Sequence, residues 1–319
     1  MLDRFQERGR VPANGERFMK KLPLSFYLQV LLCAALWGSA FPVIKLSFAH
    51  LELESYGEQL LFAGTRFILA GLIVMLFCRR SVWRVFRDTP KGALLWVTLG
   101  QTFGQYIFFY YGLRVSSGTL GALLVGSGSL WWVLLAPLFL GSAFPSGKQW
   151  LALVACTIGI SIAVYAPGSG SGDVFQGTIA FFLATLAGAL GAIGMKRVAP
   201  RFGSRSITAL SLFWGGLMLV AVASPYWDAF WKDFDWVVAG VTVYLSILSA
   251  TAFTVWNRLI EQYSVNVLSA FRFTIPMCGV IESAVFLKTE SIGIGILVGG
   301  SILVASLFAM SRMESRVGV

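Results

Sequence analysis

Charge is scarce in this chain. Lys, Arg, Asp and Glu make up 13% of its 319 residues, about half the roughly 25% that covers an ordinary soluble domain. Histidine is nearly absent: with His50 alone, a His-based metal centre has no second ligand. The four cysteines, Cys33, Cys78, Cys156 and Cys278, stand far apart in apolar runs. They form no C-x-x-C pair and no disulfide-like spacing. No P-loop and no paired Asp-rich motif occur, so no ATP-driven step is expected. The run Gly168-Ser169-Gly170-Ser171-Gly172 puts glycine where a G-x-S-x-G motif needs its serine. These shortages argue against a soluble enzyme, a zinc protein and a disulfide-stapled domain, and they imply no cofactor.

Apolar length is what the chain has in excess: 57% of its residues are hydrophobic and its mean hydropathy is +0.75. Ten stretches approach the roughly 20 residues that cross a bilayer as helix. They run over 24–48, 58–78, 92–112, 117–140, 148–166, 177–195, 206–224, 236–256, 264–287 and 291–311. The expected fold class is therefore an all-α integral membrane protein of ten transmembrane helices. Residues 1–23 are expected as a cytoplasmic tail rather than a cleaved signal peptide, because the apolar run after them is longer than a signal core. Residues 312–319 form the other tail.

The net charge of +10 would ordinarily raise nucleic acid as a partner, but the cations sort by side of the membrane. One side receives the amino-terminal tail, Arg79, Arg80, Arg84, Arg87, Lys91, Lys148, a loop with Lys196, Arg197, Arg201 and Arg205, then Arg258, Arg312 and Arg316. The other receives Arg114, Lys232 and Lys288. Cationic loops resist translocation, so the richer side is cytoplasmic, both termini lie inside, and no nucleic-acid role is expected. The location implied is the cytoplasmic (inner) membrane, with multiple passes.

Ten spans divide into five and five, residues 24–166 and 177–311, joined by an external Gly/Ser-rich linker at 167–176. An odd number per half sends the second half into the membrane from the opposite side, so the halves are expected as inverted repeats. An offset of 148 aligns Thr119–Ser142 with Val267–Glu290, matching Leu120 to Leu268 and Ala122 to Ala270 and placing Gly128 on Pro276. Small residues at helix-packing spacing (Gly100/Gly104, Gly188/Ala192, Gly295/Gly299) read as internal packing or as a homodimer face, leaving monomer and homodimer both open. Trp227, Phe230, Trp231 and Phe234, interleaved with charge, read as a short interfacial helix.

Ala35-Leu36-Trp37-Gly38-Ser39-Ala40-Phe41-Pro42-Val43-Ile44-Lys45 resembles the opening signature of EamA-type proteins, members of the drug/metabolite transporter superfamily. Thr65-Arg66-Phe67 with Ala70, Tyr111-Gly112-Leu113, Pro276 and Glu290 continue the likeness over residues 24–311. The chain departs from the pattern at Gly128-Ser129, where the first repeat normally carries proline, and at Gly141-Ser142 and Lys288-Thr289. The resemblance implies five spans per repeat and export, less often import, of small organic metabolites such as amino acids. Its substrate would cross by alternating access. A passive channel and an intramembrane enzyme are the competing readings.

Ionisable groups inside a bilayer are costly and face a cavity or a partner. Arg272 reads either as a counter-charge for a substrate carboxylate or phosphate, or as a structural, snorkelling cation. Glu282 reads as a site for a substrate ammonium or an exchanging proton, or as an ion-pair partner of Arg66. Arg66 and Lys45 read as structural charges. A substrate pocket is expected from Trp37, Gln101, Gln105, Tyr106, Ser127, Trp131, Trp256, Asn257 and Thr274 together with Arg272, since polar groups in lipid need partners and aromatic walls with a few polar groups suit a small molecule.

Overall fold

The computed structural model describes residues 22–50, 55–142, 144–165, 173–232, 235–263, 267–268, 271–272, 274–287 and 293–317, the last eight by backbone alone. The expected tail through residue 21, most of the Gly/Ser linker, Phe234 and Glu290 lie outside the described residues. Every regular element among the described residues is helical.

The first half comprises α1 (Leu24–His50), α2 (Tyr56–Leu76), the short α3 (Val82–Asp88), α4 (Lys91–Thr98), α5 (Gly104–Val115), α6 (Gly118–Val125), α7 (Gly128–Leu140) and α8 (Gly147–Tyr165). The second comprises α9 (Val174–Phe202), α10 (Ser204–Ala223), α11 (Trp227–Lys232), α12 (Trp236–Gln262), α13 (Thr274–Phe286) and α14 (Ile294–Val317). Seven stretches are helical, long and apolar enough to cross a membrane: α1, α2, Gly118–Leu140, α8, α9, Ser204–Lys232 and α12. Leu28, Leu72, Leu151, Ile158 and Ile247 stand exposed around the bundle, a surface that lipid covers and water does not. The chain is a multi-pass membrane protein.

Helix starts follow local chemistry. Ser55 and Glu58 form a reciprocal capping box on α2, Ser117 caps α6, Asp173 caps α9 and Asp235 caps α12. Each side chain satisfies an amide that the first turn leaves without an intrahelical partner. Gly203, at φ +86°, is the single residue between α9 and α10. Lys196, Arg197 and Arg201 consequently lie on the last turns of α9 rather than in the loop expected there, because Pro200 is accommodated within the helix.

Two apolar segments are interrupted. A π turn over Leu99–Phe103 separates α4 from α5, and Gly126–Ser127 separates α6 from α7. A third helix, α13, begins at Thr274, immediately beyond the region of Arg272.

α1 runs antiparallel to α12, α5 to α9 and α2 to α10, while α9 and α12 run parallel. At one end His50, closing α1, meets Asp235 at the start of α12 at 3.0 Å, and Tyr111 of α5 donates to Gln176 of α9 at 2.6 Å. At the other, Arg205 of α10 donates to the Phe77 carbonyl beyond α2, and Lys196 donates to the Ile260 and Tyr263 carbonyls at the end of α12, both at 2.7 Å. The second end carries Arg79–Lys91 and is the basic end.

The halves pack across each other. α2 lies on α10, α8 on α14 and α6 on α13; α5 packs on α9 and α1 on α12; α1 also meets α13, and α7 meets α9. Close approach rests on small residues: a Cβ on Gly100 would fall 2.3 Å from the Gly191 Cα, and one on Gly299 would fall 2.3 Å from the Gly159 carbonyl. Gly100 and Gly299 are therefore spent on internal packing, where dispersion contacts rather than apolar burial hold helices in lipid. α11 buries Phe230 and leaves Trp227 and Trp231 partly exposed, as an interfacial segment requires.

Candidate functional site

The bundle holds a partly open cavity of about 80 Å³ at mid-depth. That space holds several waters. Its walls follow helical spacing. α1 supplies Trp37, Ala40, Phe41 and Ile44; the π turn and α5 supply Gln101, Gln105, Tyr106 and Phe109; α9 supplies Ala184, Thr185, Gly188 and Ala192; α12 supplies Leu248, Ser249, Phe253 and Trp256. Arg66 of α2, Val125 of α6, Arg272 and Ile275 complete it. The opening exists because α9 presents alanine, threonine and glycine there while α1, α5 and α12 present rings. The Gln105 carboxamide lies over Gly188, where a Cβ would fall 2.5 Å from its Oε1.

Aromatic contacts stiffen the wall. Trp37 meets Phe253 and Trp256 edge-on, each at 5.5 Å between centroids, and Tyr106 meets Phe67 at 4.3 Å. Such pairs hold geometry beyond what area burial alone would.

Two guanidinium groups face this space. Arg66 is 1% exposed; it donates to Ser249 Oγ at 3.2 Å and lies 4.3 Å from the Phe67 ring centre, 5.4 Å from that of Tyr106 and 5.6 Å from that of Tyr110. Its Nε has no hydrogen-bond partner among the described residues. Arg272 stacks over Trp132 at 5.4 Å, and its Nε is likewise buried without a partner. Its terminal nitrogen packs against Gly128, the first residue of α7; a Cβ there would fall 2.7 Å from it. The ion pairs among the described residues are His50–Asp235 and Arg87–Asp88, so neither cavity arginine is matched by a carboxylate.

Below the cavity, toward the basic end, Gln101 and Asn257 exchange two hydrogen bonds of 3.0 and 3.1 Å, and Asn257 donates a third to Thr208 at 2.8 Å. Thr102 and Ser211 pair alongside at 3.1 Å. This polar layer is buried and internally satisfied.

Of the residues singled out from sequence, Trp37, Gln101, Gln105, Tyr106, Trp256 and Arg272 line the cavity together. Asn257 stands behind Gln101 as its partner; Ser127 pairs with Thr185 at 3.3 Å just outside the wall. Trp131 turns toward Phe182, and Thr274 donates to the Phe271 carbonyl at 2.7 Å, so neither belongs to the lining. Glu282 and Lys45 also lie off it, and the Glu282–Arg66 ion pair does not form among the described residues. Arg66, read from sequence as structural, is on the wall. Ser249, Phe253 and Thr185 were not anticipated. Their helical phase relative to Trp256 and Gly188 is the signal that places them.

The chain is matched twice by the profile of the EamA-like transporter family, over residues 24–165 and 175–312. It is 24% identical over 307 residues to an uncharacterized transporter of Bacillus subtilis (strain 168), YvbV, covering 91% of this chain and 92% of that one. A crystal structure whose title states no function superposes with a TM-score of 0.66 at 15% identity, covering 92% of this chain and 99% of that one, and so shares the fold. The two matches of the family profile together span nearly the whole bundle, and on that ground the chain belongs to the EamA-like transporter family of the drug/metabolite transporter superfamily.

Proposed function

We propose that the protein is a secondary carrier that moves small organic metabolites, amino acids or related compounds among them, across the cytoplasmic membrane by alternating access, in the direction of export. The observation that carries this reading is the cavity itself: it lies between the halves, takes its walls from both, and combines aromatic faces with amide, hydroxyl and guanidinium groups. Carriers of inverted-repeat design place their sites at such a midplane junction.

Ten crossings with both termini inside accommodate the helices and the charge distribution. The pairing of elements favours inverted halves. Exchanging the first five apolar segments with the second five turns the α5–α9 contact into α1–α12 and the α1–α13 contact into one between α9 and the α6–α7 segment; all four are present. The α2–α10, α6–α13 and α8–α14 contacts map onto themselves.

The test is flux. Purified protein in liposomes should accumulate a labelled metabolite by counterflow, with saturation. Conductance that does not saturate would replace the carrier by a pore. Turnover of the compound without movement would replace it by an enzyme.

A further inference from the structure

We infer that the cavity selects a small organic anion, a carboxylate or phosphate carried on an apolar body, and rejects amines. This rests on the carrier reading and names what the carrier takes.

The charge around the cavity is one-sided. Arg66 and Arg272 both line it, each with a buried Nε that has no partner among the described residues, and no aspartate or glutamate is in the lining. Breaking a buried pair so that one charge stands alone is strongly destabilising. An intramembrane arginine therefore marks a partner. Among the described residues no carboxylate pairs with either group: Arg66 donates to the hydroxyl of Ser249 with the Tyr106 and Tyr110 rings beside it, and Arg272 lies on the face of Trp132. A planar oxyanion accepts paired hydrogen bonds from a guanidinium fork. An ammonium entering the same space would find neutral acceptors, the Gln105 carboxamide and the Thr185 hydroxyl among them, but no carboxylate, and it would meet two positive groups.

Arg272 has space made for it. Residue 128 is glycine, and any side chain there would begin 2.7 Å from the Arg272 terminal nitrogen. Gly128 lies where α6 passes into α7, and the Ser129 and Leu130 amides there are taken up by the Gly126 and Ser127 carbonyls. Two guanidinium groups thus share one cavity whose lining holds no acid, an arrangement that an anion relieves. Six rings share the wall, Trp37, Phe41, Tyr106, Phe109, Phe253 and Trp256, with aliphatic side chains between them. The ligand's body is accordingly apolar and compact.

The experiment uses the purified full chain and follows its thermal unfolding with five probes that share a phenyl ring. These are 3-phenylpropanoate, phenyl phosphate, phenylalanine, phenethylamine and 3-phenylpropanamide. At least one of the two anions should stabilise the protein at about one-tenth of the phenylalanine concentration, a margin that one charge-assisted bond supplies. Which anion does so separates carboxylate from phosphate. The amine and the amide should not stabilise. Arg272→Gln should weaken the anion by about tenfold or more. Gly128→Ala keeps every charge and displaces only the guanidinium, and it should weaken the anion while leaving the unliganded melting temperature unchanged or raised.

An amine or zwitterion that stabilises as well as the anions overturns the inference, as does stabilisation by neither anion or an Arg272→Gln protein that keeps wild-type anion affinity. Counterflow separates this from the carrier reading. Anions that bind but never move refute the carrier alone; amino acids that move while anions neither bind nor compete refute the anion site alone.

Discussion

Gln101 and Asn257 each carry a carboxamide that lipid cannot solvate, and they satisfy each other through two hydrogen bonds. Asn257→Leu strands the Gln101 amide. The expected cost is about 1–2 kcal/mol, since an orphaned buried polar group loses more than the pair contributed. Gln101→Leu with Asn257→Leu should destabilise less than the two single changes summed. A double-mutant cycle by unfolding in detergent checks this, and strict additivity would show that the amides do not act as a pair. Sequence placed Gln101 and Gln105 one turn apart as two equivalent pocket amides. They are not equivalent, because only Gln101 faces Asn257, and a residue on α12 156 positions away is invisible to local spacing. Arg66 illustrates the same limit. α2 is apolar on most sides, so its inner face is defined only once α12 and α5 are packed against it.

Helix ends and close helix crossings fix how the elements sit together. Asp235 accepts from the Val238 amide at 2.8 Å and sits 3.0 Å from His50 Nε2. The amide first, and His50 second, hold its carboxyl below the usual carboxylate range. A depressed folded-state value means that the interaction stabilises above the unfolded-state value and is lost as pH falls through the folded one. The melting temperature should therefore drop below about pH 4, and Asp235→Asn should show a smaller drop over that interval. Identical pH profiles would remove the cap from the account. Gly100 faces Gly191 backbone to backbone, so Gly100→Ala forces α9 outward and should cost about 1–3 kcal/mol in the same unfolding assay. Gly92 has nothing within 4 Å of its would-be Cβ, and Gly92→Ala should be neutral or mildly stabilising. Apolar length made the long helices readable in advance; small-residue spacing marked Gly100 and Gly299 as packing positions without naming the helices they meet. The interruptions at Leu99–Phe103 and Gly126–Ser127 were not, because an apolar run has the same composition whether its helix is continuous or broken.

Across the whole molecule, the basic end is tied by cations that cap helix carboxyl ends. Lys196 holds the last carbonyls of α12, Arg205 that of Phe77, and Arg197 that of Phe139 while its guanidinium lies 5.4 Å from the Trp96 ring centre. Cations there complement the negative helix ends. The charges that oriented the chain in the sequence reading thus also clasp the bundle, a second use that a count of loop cations cannot reveal. Lys196→Met should loosen this end. A cysteine placed at Ala192, on the cavity wall, in a background lacking Cys33, Cys78, Cys156 and Cys278, should then react about tenfold faster with a water-soluble maleimide. An unchanged rate would show that the clasp does not govern access.

The meeting of Gly128 with Arg272 also constrains how such proteins diverge. A lineage that gains a bulkier residue at the first position pushes the cation at the second out of its place, so the two are expected to be exchanged jointly over evolutionary time. Homologues bearing proline at the first place should lack arginine at the second, and that pairing would sort carriers by the sign of their cargo before any of them is purified.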